Sequence, residues 1–184
     1  MHAVVVDGKS HMQKAVDVVK REFAGVRTGR ASPALLERVT VDYYGVVTPI
    51  TQVASVSVPE ARLLVIQPWD KQLLKEIERA IQKSELGLTP STDGAVIRLP
   101  IPSLTGDRRK ELVKVVHKQA EEGRVAVRNI RRDHREKLER LEKSGDLSKD
   151  DSRRHQDDLQ KLTDQYIKDI DTLLAAKEKE ITEV

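Results

Sequence analysis

Met12-Gln-Lys-Ala-Val16-Asp-Val-Val19-Lys-Arg-Glu-Phe23-Ala-Gly-Val26 is the stretch on which the fold turns. Its apolar residues Met12, Val16, Val19, Phe23 and Val26 recur at alternating steps of four and three, the spacing of a helix buried along other helices. Ser10 is a candidate N-cap. The helix is expected to stop near Gly29, because Gly favours the position past a helix end and Arg30-Ala31-Ser32-Pro33 brings a Pro stop. Residues 1–7 then read as a frayed extension without a role. One apolar stripe is not stable alone in water, so this helix needs helical partners, and the sequence offers long ones only after residue 102.

The intervening segment has a different character. Residues 38–44, 53–58, 62–67 and 95–99 are short, rich in β-branched residues and bounded by Gly or Pro, which predicts strands. Between the last two, Asp70 can cap a helix carrying Leu73, Leu74, Ile77, Ala80 and Ile81 that ends near Gly87. Trp69 is expected to staple that helix to its sheet, and Tyr43-Tyr44-Gly45 to close a strand in a packed turn. Stacking of these tyrosines on bases is the other reading.

Helical patterning returns after Pro100-Ile101-Pro102, with Thr105 or Asp107 as the start, and no Pro follows. A first long helix carries Leu112, Val116, Ala120, Gly123, Val127, Ile130, His134, Leu138 and Leu141 on one face. Gly123 reads as a weak point costing about 1 kcal/mol relative to Ala. Ser144-Gly145-Asp146 is the turn, and Ser148 with Asp151 resembles a capping box. The second long helix shows Leu159, Leu162, Tyr166, Ile170, Leu173 and Ile181. The expected fold is α+β in two domains: a discontinuous, antiparallel three-helix bundle (1–29 plus 106–184) and an inserted small α/β domain (30–105). The linkers at 29–33 and 102–105 lie in adjacent positions of this scheme and form a possible hinge.

Composition narrows the chemistry. The 184 residues include no cysteine, so a disulfide framework, a thiolate nucleophile and a cysteine-ligated metal are excluded. No apolar run approaches a membrane span and no signal sequence is evident, which predicts a soluble cytoplasmic protein. Five histidines, at positions 2, 11, 117, 134 and 155, show no zinc-ligand spacing, and His134 reads as a satisfied core histidine. No metal, cofactor or catalytic acid–base pair is expected. Gly8-Lys9-Ser10 imitates the end of a P-loop, but Ala3 stands where another Gly is needed.

The net charge of +3 conceals polarity. Residues 105–145 hold 13 basic and 8 acidic side chains, whereas 146–184 hold 7 and 11. Arg124, Arg128, Arg131 and Arg135 fall within roughly 60° of one helix face, about 100° from the apolar stripe, with Arg132 beside them. Guanidinium forks match phosphate oxygens bidentately, and a helix spaces them rigidly. A solvated face laced with pairs such as Arg132 with Glu136 is the competing reading.

Six collinear motifs then narrow the choice: Arg27-Thr-Gly-Arg-Ala-Ser-Pro33, Val41-Asp-Tyr-Tyr-Gly45 with Thr48-Pro49, Ser84-Glu-Leu-Gly-Leu88, Asp93-Gly-Ala-Val-Ile-Arg-Leu-Pro100, Arg124-Val-Ala-Val-Arg-Asn-Ile-Arg-Arg-Asp133 and Gln160-Lys-Leu-Thr-Asp164. Together they resemble the ribosome recycling factor family over nearly the whole chain, the first ten residues excepted. The resemblance implies an L-shaped, tRNA-like molecule that is monomeric and not an enzyme. It implies binding to the post-termination bacterial ribosome through 23S rRNA of the large subunit, and splitting of that ribosome with elongation factor G and GTP hydrolysed by that factor. Messenger RNA and tRNA would be released, and initiation factor three would keep the subunits apart.

Carried over by motif, Arg27, Arg128 and Arg131 would bind the ribosome, and helix geometry extends the set to Arg124, Arg132 and Arg135. The family hinge maps to Gly29, Arg30, Ala31, Ser32 and Pro33 and to Pro102, Ser103, Leu104 and Thr105. Two other readings remain open on the residues alone. One is a stand-alone RNA-binding or RNA-chaperone module using the same arginines. The other is a helical scaffold that pairs its charged helices with protein partners.

Overall fold

A computed structural model describes residues 2–183. The chain divides into two compact units, one holding the residues up to Arg27 and from Gly106 onward, the other Thr28–Thr105. Among the described residues four α-helices and six strands carry the architecture: α1 (Ala3–Gly25), β1 (Thr40–Tyr43), β2 (Val46–Pro49), β3 (Ala54–Glu60), β4 (Leu63–Pro68), α2 (Leu74–Lys83), β5 (Ser91–Asp93), β6 (Val96–Pro100), α3 (Gly106–Lys143) and α4 (Lys149–Thr182). The fold is α+β, with long helices packed together and a small sheet-bearing unit. No helix among the described residues is long and apolar enough to cross a membrane.

In the helical unit α1, α3 and α4 pack pairwise. The stripe Met12, Val16, Val19 and Phe23 is buried as its spacing requires, but α1 begins a full two turns before Ser10. His2 is its N-cap, its ring accepting a hydrogen bond from the Val4 backbone N–H. The expected frayed extension is therefore ordered helix: Val5 is fully buried and Gly8 is buried as well. Gly8 is a packing residue, since a Cβ there would lie 3.1 Å from Leu159 Cδ1 and 3.3 Å from His134 Cδ2.

On α3 the buried residues are Leu112, Val116, Ala120, Gly123, Val127, His134 and Leu138, while Ile130 and Leu141 are only half-buried. On α4 Leu159, Tyr166, Ile170 and Ile181 are buried as expected, and the stripe departs from expectation at two positions. Thr163 and Leu174 are buried where Leu162 and Leu173 were expected, and the latter two are half-buried. Thr163 tolerates burial because its hydroxyl donates to the Leu159 carbonyl at 2.8 Å. Between the helices Gly145 adopts φ +82°, and its N–H bonds to the Glu142 carbonyl, which ends α3. Ser148 then caps α4, accepting from the Asp151 N–H at 3.1 Å and donating to the Asp151 carboxylate at 2.8 Å.

The smaller unit holds a β1–β2 hairpin and a four-stranded antiparallel sheet in the order β3-β4-β6-β5. The strands β2 and β5 were not legible in the sequence. Leu64 pairs with Leu99 and Ile66 with Ile97 across β4 and β6, and Ile77 and Ile81 of α2 join the same core. Tyr44 and Gly45 both take positive φ, the backbone of a two-residue hairpin turn. Two packing expectations fail here. Tyr44 is 79% exposed and Trp69 71% exposed, so neither ring is buried in a packed core, and the Trp69 backbone N–H donates to the Val53 carbonyl. The Tyr44 hydroxyl instead donates to Asp70, whose charge raises the tyrosine's pKa.

Both connecting segments are tied to the β3–β4 turn. The Ala31 N–H donates to the Ala61 carbonyl and the Ile101 N–H to the Arg62 carbonyl, each at 2.8 Å. Ser32 caps a short 3-10 helix, Pro33–Leu36. Ala31, Ser32 and Pro33 thus belong to the smaller unit and carry these backbone and cap hydrogen bonds.

The structure also reverses the reading of Gly123. A Cβ at this position would lie 2.4 Å from Val19 Cγ2 and 3.3 Å from Ile170 Cδ1, so glycine is what lets α1 and α4 close on α3. Gly123→Ala should lower unfolding stability by about 1–3 kcal/mol through overpacking, despite the roughly 1 kcal/mol that alanine gains in helix propensity. An unchanged or raised denaturation midpoint would refute the close approach.

Candidate nucleic-acid interface

The arginine run lies on α3, where the helical period aligns Arg124, Arg128, Arg131 and Arg135 along one side. The four do not share one environment. The Arg124 side chain is only 18% exposed and is gripped by two carboxylates, Glu121 at 2.9 Å and Asp171 of α4 at 2.6 Å. Burial works against its charge, but the hydrogen bonds to Glu121 and Asp171 outweigh it and raise its pKa. The expectation of a fully solvated stripe therefore fails at Arg124, which acts as a clasp between α3 and α4.

The remaining arginines are more open. Arg128 shares Glu121 at 3.2 Å, and this carboxylate is held below its usual range by hydrogen bonds first from Arg124 and then from Arg128. Arg131 is half-buried, its Nη1 donating to Gln160 Oε1 of α4 at 3.0 Å, while Gln160 donates in turn to Asp164 at 2.8 Å. This relay gives the Gln160-Lys-Leu-Thr-Asp164 motif a physical role, because it fixes the direction of the Arg131 guanidinium with a neutral partner. Arg132 reaches the neighbouring Asp133 at 3.5 Å, not Glu136, and Arg135 pairs with Glu139 at 3.0 Å. Exposed pairs of this kind contribute about 0–1 kcal/mol, so an incoming phosphate can replace the carboxylate at little cost. Arg27 is exposed just beyond the end of α1.

Sequence reasoning missed the partners from α4, Asp171 and Gln160, because nothing in a linear chain marks which polar residue faces a neighbouring helix. It also missed a cluster formed by Asp7, His11 and His134. The buried His134 is indeed satisfied, its Nδ1 bonding to the Ile130 carbonyl and its Nε2 to Asp7, both at 2.8 Å. The hydrogen bond with His134 is the main reason that Asp7 sits below the usual carboxylate range; Lys137 adds to it and partial desolvation opposes it. The spacing of Asp7 and His11, four apart on one helix, was the available signal, and it was lost because α1 was expected to begin later.

Comparison with known proteins agrees with the motif reading. The family model for ribosome recycling factor matches residues 19–182. The ribosome-recycling factor of Desulforamulus reducens is 58% identical over 181 residues, covering 98% of each chain. That of Pelotomaculum thermopropionicum is 60% identical over 181 residues, again covering 98% of each. Among solved structures, the solution structure of a ribosome recycling factor aligns with a TM-score of 0.75 at 47% identity, covering 98% of this chain and 96% of the other. A second, from models of the Thermus thermophilus ribosome recycling factor and the Escherichia coli elongation factor G bound to the post-termination complex, aligns with a TM-score of 0.64 at 48% identity, covering 98% and 97%. Matched in sequence and in fold over nearly its whole length, the chain belongs to the ribosome recycling factor family.

Proposed function

We propose that this chain binds the post-termination ribosome through the α3 arginine face and, with elongation factor G and GTP, splits it into subunits. The observation that carries this reading is the graded setting of the arginines on a rigid helix. Arg124 anchors the face to α4, and Arg128, Arg131, Arg132 and Arg135 stand outward with weak or neutral partners that phosphate can displace. Arg27, exposed just beyond α1, is the further contact carried over by the family motif. The polyanion they fit is 23S rRNA of the large subunit. A relative of the same family has been placed with elongation factor G on a post-termination complex, which supports both partners.

The chain itself hydrolyses nothing in this reading, needs no cofactor and works as a cytoplasmic monomer. Its contribution is mechanical. The helical unit holds the ribosome, while elongation factor G drives the smaller unit about the two linkers, and initiation factor three keeps the separated subunits apart. Because Ala31, Ser32 and Pro33 are bound into the smaller unit, the turning residues reduce to Gly29 and Arg30 on one linker and Pro102, Ser103, Leu104 and Thr105 on the other. Gly29, at φ +74°, supplies a backbone conformation that other residues adopt only with strain. Rotation absorbed at a few such positions leaves both cores intact.

Arg131→Ala should weaken ribosome binding and lower the slope of log affinity against log salt by about 1. Arg140→Ala, whose arginine lies outside the stripe and pairs with Glu136 at 3.5 Å, should change much less. Equal effects from the two would defeat the assignment of the face. Arg124→Ala separates the clasp from the contact surface: it should lower the thermal midpoint, which Arg131→Ala should leave nearly unchanged. For the linkers, a disulfide joining the 29–33 segment to the 102–105 segment should preserve ribosome binding and abolish splitting. Splitting at the normal rate with the disulfide formed would exclude the hinge.

A further inference from the structure

Near the N-terminal end of α1, Asp7 and His11 project from the same side of the helix, as residues four apart must. Across from them His134 comes from α3, with its ring only 4% exposed overall as a residue. One ring nitrogen from each histidine and a carboxylate oxygen of Asp7 all lie within 4.8 Å of one another. Asp7 Oδ2 is 2.8 Å from His134 Nε2, Asp7 Oδ1 is 3.4 Å from His11 Nδ1, and the two imidazole centroids are 5.6 Å apart.

The hydrogen-bond chemistry restricts what can occupy this cluster. The Ile130 carbonyl can only accept, so His134 Nδ1, 2.8 Å away, carries its hydrogen and donates. His134 Nε2 then faces an ionised carboxylate oxygen, and two lone pairs at 2.8 Å repel unless a positive centre lies between them. That centre is a proton or a metal ion. A histidine that gives its Nδ1 hydrogen to a backbone carbonyl and points Nε2 inward is also the arrangement that orients metal-binding imidazoles.

We propose that Asp7, His11 and His134 form a binding site for one divalent transition-metal ion of the zinc class, clamping α1 to α3. Two imidazoles and one carboxylate are a borderline donor set that suits Zn2+, Co2+ or Ni2+ better than Mg2+ or Ca2+, which favour oxygen alone. With bonds of about 2.0–2.1 Å, tetrahedral ligand atoms stand about 3.4 Å apart. The present spacing contracts to that by rotation of the exposed His11 side chain, whose Nδ1 lies 2.9 Å from the Asp7 backbone carbonyl and must give up that hydrogen bond for the ring to turn a lone pair toward the ion. Water completes the coordination sphere. An imidazole must offer a bare lone pair to a metal ion, so ion binding and proton release are coupled.

Lys137 opposes the ion. Its ammonium lies 3.3 Å from the same Asp7 Oδ2 and must swing into solvent when a dication enters. This sets affinity below that of a dedicated zinc site and makes Lys137 the residue that tunes it. Because His134 stands between Asp133 and Arg135, an occupied site would tie the start of α1 to the arginine-bearing stretch of α3. The inference is independent of the ribosomal reading.

The test is calorimetric titration of the full, untagged chain with Zn2+ in buffers of different ionisation enthalpy, with thermal unfolding alongside and Co2+ as a visible-absorption probe. The expected result is one ion per chain, a buffer-dependent enthalpy that reports proton release, and a thermal midpoint that rises with free Zn2+. His11→Ala removes an exposed ligand without opening the core and should weaken binding by more than about tenfold. His134→Gln should do the same, and Lys137→Met should tighten binding. His2 and His155, whose rings are 5.1 Å apart, provide the competing histidine pair. Absence of stoichiometric binding, binding unchanged by His11→Ala, or binding lost on His155→Ala but retained in His11→Ala would each overturn the site.

Discussion

The closure of α1 and α4 onto α3 at Gly123 is the contact on which the helical unit depends. A Cβ at Gly123 would enter the volume occupied by Val19 and press on Ile170, so the three helices meet there at a distance only a glycine allows. Val19 is β-branched and stiff in a helix, which leaves it little room to yield. Above and below this level the seam is filled by Val16, Phe23, Val116, Ala120, Val127 and Tyr166, all buried. None of the three stripes could be stable alone, and the partners of α1 come from beyond an inserted unit of another fold class. The long-range nature of the bundle follows directly: α1 must wait for α3 and α4 before its apolar face is covered.

That geometry fixes what the surface can do. Helices held rigidly at close range present side chains at constant spacing, and α3 uses this to display arginines at one angle. The clasp from Arg124 to Asp171 and the contact from Arg131 to Gln160 both cross from α3 to α4, so the packing that builds the core also aims the cationic face. A mobile helix would spread the same charges over many directions and lose more entropy on binding a phosphate array.

Much of this was legible in sequence because helical periodicity is a strong signal. The stripes of α1 and α3, the turn at Gly145 and the cap at Ser148 follow from local chemistry. The failures share a cause, which is that they depend on neighbours distant in the chain. Gly123 reads as a helix-weakening residue until Val19 is placed against it. The core side of α4 is set by what α1 and α3 offer, so Thr163 and Leu174 replace Leu162 and Leu173. The strands β2 and β5 are too short for an alternation to show. Residues 1–7 read as a frayed extension because the apolar spacing starts at Met12 with Ser10 as its candidate cap, yet α1 includes residues 3–9 and a Cβ at Gly8 would press on Leu159 and His134. With that turn of helix unrecognised, neither Asp7 nor its contact with His134 could be foreseen. On the arginine face the charges were legible, while the carboxylate that removes Arg124 from solvent was not.

The central claim is that this molecule separates ribosomal subunits by holding the ribosome while a partner supplies the force. The most direct measurement is light scattering of bacterial post-termination ribosomes mixed with this chain, elongation factor G and GTP, with initiation factor three present to block reassociation. The account predicts a fall in scattering that requires the chain, elongation factor G and GTP together. Ribosomes that bind the chain with no fall in scattering under these conditions would contradict it.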